Sequence, residues 1–167
     1  MVEEKNIALQ KIHSILNNVM DPEVPVLSVI DLGIVRDIRY AQDEVEIIIT
    51  PTYSGCPAMD TIASMIKMEI NANGFKNVKV TTTLSPAWTT DWMTEEGKQK
   101  LKEYGIAPPN PKQQVCHTDL FIPNEAIQCP HCNSYHTHRI SEFGSTACKS
   151  LHQCDDCKEP FDYFKCH

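Results

Sequence analysis

Two Cys-x-x-Cys pairs near the C-terminus, Cys129-Pro130-His131-Cys132 and Cys154-Asp155-Asp156-Cys157, constrain this chain more than any other feature. A two-residue gap lets both sulfurs of a pair reach one ion, and two such hairpins complete a tetrahedron of thiolates. The 21 residues between the pairs hold two strand candidates, Tyr135 to Ile140 and Lys149 to Gln153. This is a zinc-ribbon pattern. A module of about 40 residues has too little core to fold alone, so a structural metal is physically needed. Zn2+ is the expected occupant, and an iron–sulfur cluster is the competing one, since four thiolates suit both. A redox dithiol is the poorer reading, because no βαβ pattern flanks either pair.

Other donors lie nearby. Cys148 and Cys166 fall outside the pairs, and each reads either as a small buried hydrophobe or as an additional ligand. Cys148, six residues before Cys154, could displace one of the four. His136, His138, His152 and His167 offer nitrogen, and Cys116-His117 is a weaker pair with no spaced partner. The charged start, Met1-Val2-Glu3-Glu4-Lys5, lacks the apolar stretch of a signal peptide. Eight cysteines without such a signal imply reduced thiols and a cytoplasmic setting. No apolar run is long enough to span a membrane.

A second organising stretch is Thr50-Pro51-Thr52-Tyr53-Ser54-Gly55-Cys56-Pro57-Ala58. Before it, Val45, Ile47 and Ile49 share one face, as in a half-buried strand. After it, Met59, Ile62, Ala63, Ile66 and Ile70 recur at helical spacing. Cys56 is therefore expected at the N-cap with Pro57 in the first helical position. A thiol there feels the positive end of the helix dipole, which favours its thiolate. It is a candidate metal ligand, sulfur acceptor or nucleophile.

The remaining chain frames that turn. Ile12, Ile15, Leu16 and Val19 predict a helix over 5–19, stopped by Asp21-Pro22-Glu23-Val24-Pro25. Asp21 and Glu23 place two carboxylates on a stiff loop, which is otherwise an acidic turn that ends the helix. Ser28 to Gly33 reads as a short turn. A strand from Ile34 to Tyr40, with parity broken at Val35 and Arg36, pairs as a hairpin with the strand leading to Cys56. Asn73-Gly74 ends the following helix, and Val78, Val80, Thr82 and Leu84 alternate as a third strand. The order α-β-β-α-β predicts a small α+β sandwich with a mixed sheet, the second and third strands joined by a right-handed parallel crossover. Trp88 and Trp92 follow the third strand, either as core packing or as a lid or partner-binding patch. Thr94 should cap a helix over 95–104 that Gly105 ends. The expected organisation is a domain at 1–107, a Pro-rich linker at 108–127 and a ribbon-like module at 128–167.

The formal charge is −7, with 11 basic against 17 acidic residues through 127 and 4 against 5 afterwards. Neither part is basic, which argues against a nucleic-acid partner. There is no arginine cradle after Cys56, no Gly-rich phosphate loop and no nucleophile elbow. No histidine base lies close to Cys56 in sequence, leaving only distant ones such as His13 or His117.

Asp21-Pro22-Glu23, Asp31-Leu32-Gly33-Ile34-Val35 and Gly55-Cys56-Pro57-Ala58 together resemble the domain of iron–sulfur assembly accessory factors of the MIP-eighteen and SufT-like family. Pro86-Ala87-Trp88-Thr89-Thr90-Asp91-Trp92-Met93, Gly105-Ile106-Ala107-Pro108-Pro109, Phe143-Gly144-Ser145-Thr146-Ala147-Cys148-Lys149 and Glu159 to His167 resemble the PaaD family of phenylacetate-degradation systems. The resemblance implies a non-catalytic maturation factor for the multicomponent phenylacetyl-CoA epoxidase, a diiron oxygenase fed by an iron–sulfur reductase. Its implied partners are the epoxidase subunits or that reductase and the general iron–sulfur assembly machinery; a homodimer is compatible with it. The family's reactive cysteine falls on Cys56, with a transient iron or iron–sulfur cluster as its cargo. Its acidic loop falls on Asp21 and Glu23, and its ribbon ligands fall on Cys129, Cys132, Cys154 and Cys157.

Overall fold

The alternating run before the Cys56 turn forms the middle strand of the first sheet. The computed structural model describes residues 2–53, 55–109 and 127–165, and the chain divides into two units, Met1–Gly97 and Lys98–His167. In the first unit the order is α1 (Val2–Leu16), β1 (Val35–Ala41), β2 (Glu44–Ile49), α2 (Met59–Ala72) and β3 (Asn77–Thr82). The sheet order is β1-β2-β3. The β1/β2 pair is an antiparallel hairpin and the β2/β3 pair is parallel, as expected of a β-α-β crossover. Val45, Ile47 and Ile49 are fully buried, as are Ile12 and Leu16 from α1 and Ile66 and Ile70 from α2. One apolar face of the sheet and one stripe of each helix thus form the core.

Two irregularities have local causes. The register of β1 slips between Val35 and Asp37, so Arg36 is the extra residue of a bulge. That bulge explains the broken parity in the sequence. The hairpin turns on Gln42 and Asp43, both with positive φ (52° and 61°), the backbone that matches strand twist in a two-residue loop. The Tyr40 hydroxyl donates to Asp43 Oδ1 at 2.9 Å and braces the turn.

The segment between α1 and β1 is a buried brace. The Asp21 carboxylate is itself buried and accepts the N–H groups of Glu23 and Val24 at 2.8 and 2.7 Å. Ser28 and Asp31 cap each other: Asp31 Oδ2 accepts from the Ser28 N–H and hydroxyl, and Ser28 Oγ accepts the Asp31 N–H, all at 3.0 Å. Thr94 joins them, its N–H donating to the Asp31 carbonyl at 2.9 Å and its hydroxyl to Asp31 Oδ1 at 3.1 Å. Thr94 Oγ1 also accepts the Gly97 N–H at 2.9 Å, capping α3 (Glu95–Glu103) as expected. Gly33 closes this brace with φ +67°, and a Cβ there would lie 2.1 Å from the Trp92 carbonyl oxygen.

The second unit is built on a four-stranded sheet of order β4-β7-β6-β5, from β4 (Ile106–Ala107), β5 (Thr137–Ser141), β6 (Lys149–Cys154) and β7 (Pro160–Phe164). Two of these strands have weak sequence signals. β4 is only a dipeptide, and it pairs in parallel with Asp162 and Tyr163 of β7. Ile106 and Ala107 therefore belong to the ribbon sheet, and the units divide after Gly97 rather than at 107, where composition changes. Ala107, Cys129, Cys154, Phe161 and Tyr163 form the small core of this unit. His152 is buried beside the Phe161 and Tyr163 rings, at centroid distances of 5.8 and 5.7 Å, with its Nε2 and Ser150 Oγ hydrogen-bonded at 3.0 Å. Burial pushes its pKa down to about 4, so it packs as a neutral ring. Of the expected linker, only its two ends lie within the described residues, and Cys116, His117, Cys166 and His167 lie outside them.

Gly33→Ala should destabilise the first unit by about 3 kcal/mol or more, because it combines left-handed backbone with overlap against a carbonyl. A denaturant melt monitored by tryptophan fluorescence checks this; an unchanged midpoint would mean the brace is not structural.

Candidate functional site

The ribbon presents four sulfurs around one point. Every pair among the Cys129, Cys132, Cys154 and Cys157 ligand atoms lies within 4.8 Å. The Cys129–Cys157 and Cys132–Cys154 sulfurs are 3.8 and 3.5 Å apart. Zn–S bonds of about 2.3 Å place tetrahedral sulfurs about 3.8 Å apart, so the arrangement fits Zn2+ with little adjustment.

Two matching knuckles produce this geometry. The Asn133 N–H donates to the Cys129 carbonyl at 2.9 Å, and the Cys129 N–H to the Ser134 carbonyl at 2.8 Å. In the second knuckle, Lys158 donates to the Cys154 carbonyl and Cys154 to the Glu159 carbonyl, both at 3.0 Å. Asn133 and Lys158 both have positive φ, 62° and 66°, which turns the chain back after each pair. Backbone N–H groups of Cys157 and Asp156 point at the Cys154 sulfur and outweigh its burial, pulling its pKa down to about 7. For Cys157 the Glu159 N–H acts in the same direction, but desolvation and the three neighbouring sulfurs push the thiol up to about 12. Four thiols this close resist ionising together, and a dication removes that resistance.

Around the cluster lies a polar shell that the spacing of the cysteines does not reveal. His136 Nδ1 lies 3.2 Å from Asp156 Oδ1, and His138 Nδ1 lies 3.0 Å from Asp155 Oδ1. The Ser134 hydroxyl bonds Asp156 as well, and it is the first cause of that carboxyl's lowered pKa, followed by His136. These histidines orient the second knuckle and are not in the ligand set. The alternation His136-x-His138 is visible in the sequence, but its match to Asp155-Asp156 depends on cross-strand register. Cys148 is not in the ligand set either. It is buried, bonded to Thr146 Oγ1 at 3.0 Å, and lies beyond the far end of β6 from Cys154, about 20 Å away along extended backbone.

Cys56 occupies a different position from the expected one. The helix starts at Met59 with Ala58 as its N-cap, so Cys56 lies in the preceding turn, its N–H donating to the Tyr53 carbonyl at 3.1 Å. Its thiolate is disfavoured, contrary to the dipole argument. Burial raises its pKa, and the charges of Glu23 and Asp21 raise it further. The Ala58 N–H and the Thr52 hydroxyl lower it, but they do not prevail. The acidic loop and the thiol thus share one electrostatic environment, with Asp21 also serving as the loop's own cap.

The tryptophans have separate roles. Trp88 is buried, its indole N–H donating to the Leu32 carbonyl at 2.9 Å, so it offers no face for a lid or partner patch. Trp92 is half-buried and carries the Arg36 guanidinium 3.4 Å over its ring centroid.

Residues 9–82 match the family described as iron-sulfur cluster assembly protein, and residues 113–165 match the PaaD zinc beta ribbon domain. Fold and site therefore define an assembly-type domain followed by a zinc ribbon. The chain is 50% identical over 158 residues, 95% of its own length and 93% of the other, to an Escherichia coli (strain K12) protein named as a candidate subunit of 1,2-phenylacetyl-CoA epoxidase. The chain belongs to the PaaD family. It is also 38% identical over 88 residues, 52% of this chain and 83% of the other, to a Porphyromonas gingivalis (strain ATCC BAA-308 / W83) protein named an Fe-S protein maturation auxiliary factor. A crystal structure of a domain of unknown function (DUF59) from Bacillus anthracis is similar at a TM-score of 0.56 and 25% identity, covering 60% of this chain and 97% of that one. No helix among the described residues is long and apolar enough to cross a membrane.

Elemental analysis should find one zinc per chain, lost on Cys132→Ser and kept in Cys148→Ser. Stripping the metal with a strong chelator should abolish the near-ultraviolet signal of the ribbon aromatics, since ligand and core residues coincide. Peptide-resolved alkylation should show Cys56 reacting only at a pH above that of a free cysteine. Glu23→Gln should shift this profile to lower pH; an unmoved profile would remove Glu23 from the environment of Cys56.

Proposed function

We propose that this chain is a non-catalytic maturation factor that helps load iron or iron–sulfur centres into the multicomponent phenylacetyl-CoA epoxidase. The carrying observation is the environment of Cys56, a half-buried thiol whose ionisation is opposed by desolvation and by Glu23 and Asp21. A nucleophilic enzyme needs the opposite arrangement, a lowered pKa or an adjacent base. A cation-handling thiol benefits from this one. Two carboxylates attract a metal cation, and the cation then lowers the thiol pKa, so the thiolate forms as the cargo arrives.

In this reading the assembly-type domain carries the cargo at Cys56 and the ribbon, 128–167, docks the client. Asp21 is chiefly structural, because its carboxylate already holds two backbone N–H groups, which leaves Glu23 as the carboxylate nearer the work. Its partners are the epoxidase subunits or the iron–sulfur reductase that feeds them, together with general assembly machinery. The names of the Escherichia coli and Porphyromonas gingivalis relatives support this assignment.

The test uses cells in which this chain is replaced by its Cys56→Ser variant. The variant should fold, keep its zinc and still bind the client, while the purified epoxidase components contain well under the iron of the wild-type preparation. Full iron loading in that background would sink the role of Cys56 and leave a purely structural adaptor.

A further inference from the structure

A groove of about 580 Å³ opens on the first unit between α1 and β1, and its lining includes neither Cys56 nor the acidic loop. That volume falls within the usual range of binding clefts. Its floor is apolar, with Leu9, Ile30 and Ile38 half-buried, and Trp92 forms one wall. His13 and Arg36 lie exposed at its rim.

The Arg36 side chain is held in a built setting. Gly33 lets the backbone approach the Trp92 carbonyl so closely that no side chain fits between them. Trp92, fixed in this way, carries the guanidinium 3.4 Å over its ring, while Arg36 Nη1 reaches the Gly33 carbonyl at 3.4 Å. The Arg36 side chain stays exposed, and its other N–H groups have no partner among the described residues. The bulge at Val35/Asp37 makes room for this residue in an edge strand. The one acid in the lining, Asp37, is matched by Arg39 at 2.8 Å. Arg36 is therefore the cation of the lining that no carboxylate matches among the described residues, on a chain of net charge −7.

We propose that this groove docks a partner-protein segment in which an Asp or Glu side chain stands beside an aliphatic or aromatic one. The carboxylate takes the free fork of Arg36 in bidentate fashion, and the apolar side chain fills the floor over Leu9, Ile30 and Ile38. Charge complementarity selects this occupant: a basic segment is repelled at the rim, and a purely acidic one leaves the floor uncovered. The close approach of Gly33 to Trp92, besides closing the brace, thereby serves to present Arg36. The site is independent of whatever Cys56 carries.

A random peptide library displayed on phage, selected against the full zinc-loaded chain, supplies the probe, and a selected peptide is then made with a fluorescent label for anisotropy titration. The enriched sequences should place an acid within two positions of a large apolar residue. Arg36→Ala should weaken the labelled peptide about tenfold or more, and Arg36→Lys should recover only part of this because it restores charge without the fork. Leu9→Ser should also weaken it. Arg36 is exposed, so these titrations use folded protein, checked by an unchanged thermal midpoint. Undiminished binding to Arg36→Ala, a basic consensus or a lack of enrichment would each overturn the proposal. So would self-association of the wild type that Arg36→Ala dissolves, since this would assign the groove to a second copy.

Discussion

Four sulfurs gathered within 4.8 Å are the constraint on which the second unit depends. Cys129 and Cys154 belong both to the four-sulfur cluster and to the core, packed with Ala107, Phe161 and Tyr163. A module this small gains little from apolar burial against chain entropy, and a metal held by the four sulfurs would supply what the core lacks. The knuckle hydrogen bonds reduce what ordering the ligands costs, because each pair is shaped by its own backbone. The sheet then extends outward from the second knuckle, with β6 entering it and β7 leaving.

In the first unit the comparable constraint is the buried brace from Asp21 to Gly33. Its carboxylates and hydroxyl satisfy backbone groups that a long connection would otherwise leave unpaired in the interior. The same segment brings negative charge to Cys56 and supports Trp92 beneath Arg36. One stretch of irregular backbone thus shapes two different surfaces, an acidic thiol site and a groove with Arg36 at its rim. Loops held by a rigid scaffold commonly carry function in this way.

Much of the fold is legible from residue order. Alternation at Val45, Ile47 and Ile49 and helical spacing at Ile62, Ile66 and Ile70 locate the sheet, the crossover helix and the core face. The broken parity at Val35-Arg36 is a true signal, and its cause is a bulge. β4 and β7 escape a reading of the sequence because a dipeptide has no period, and a five-residue strand after a knuckle resembles a loop. The compact boundary falls at Gly97 for the same reason, since pairing between Ile106–Ala107 and β7 leaves no trace in composition. The four-sulfur cluster is legible because both members of each pair are close in sequence. Cys148 is ambiguous in the sequence, and β6 resolves it by carrying it away from Cys154.

The sequence alone determined the α-β-β-α-β order, the ribbon and its cluster of four cysteines. Each follows from short-range spacing, which local backbone geometry converts directly into structure. Only the tertiary structure decided that the surroundings of Cys56 disfavour its thiolate rather than favour it. Its ionisation is set by burial and by carboxylates more than 30 positions away, and these outweigh the local N–H groups. It also decided that Trp88 is core while Trp92 supports a cation. Two identical rings four residues apart differ in role because one indole N–H meets a buried carbonyl and the other ring meets a guanidinium, partners that are both distant in the chain.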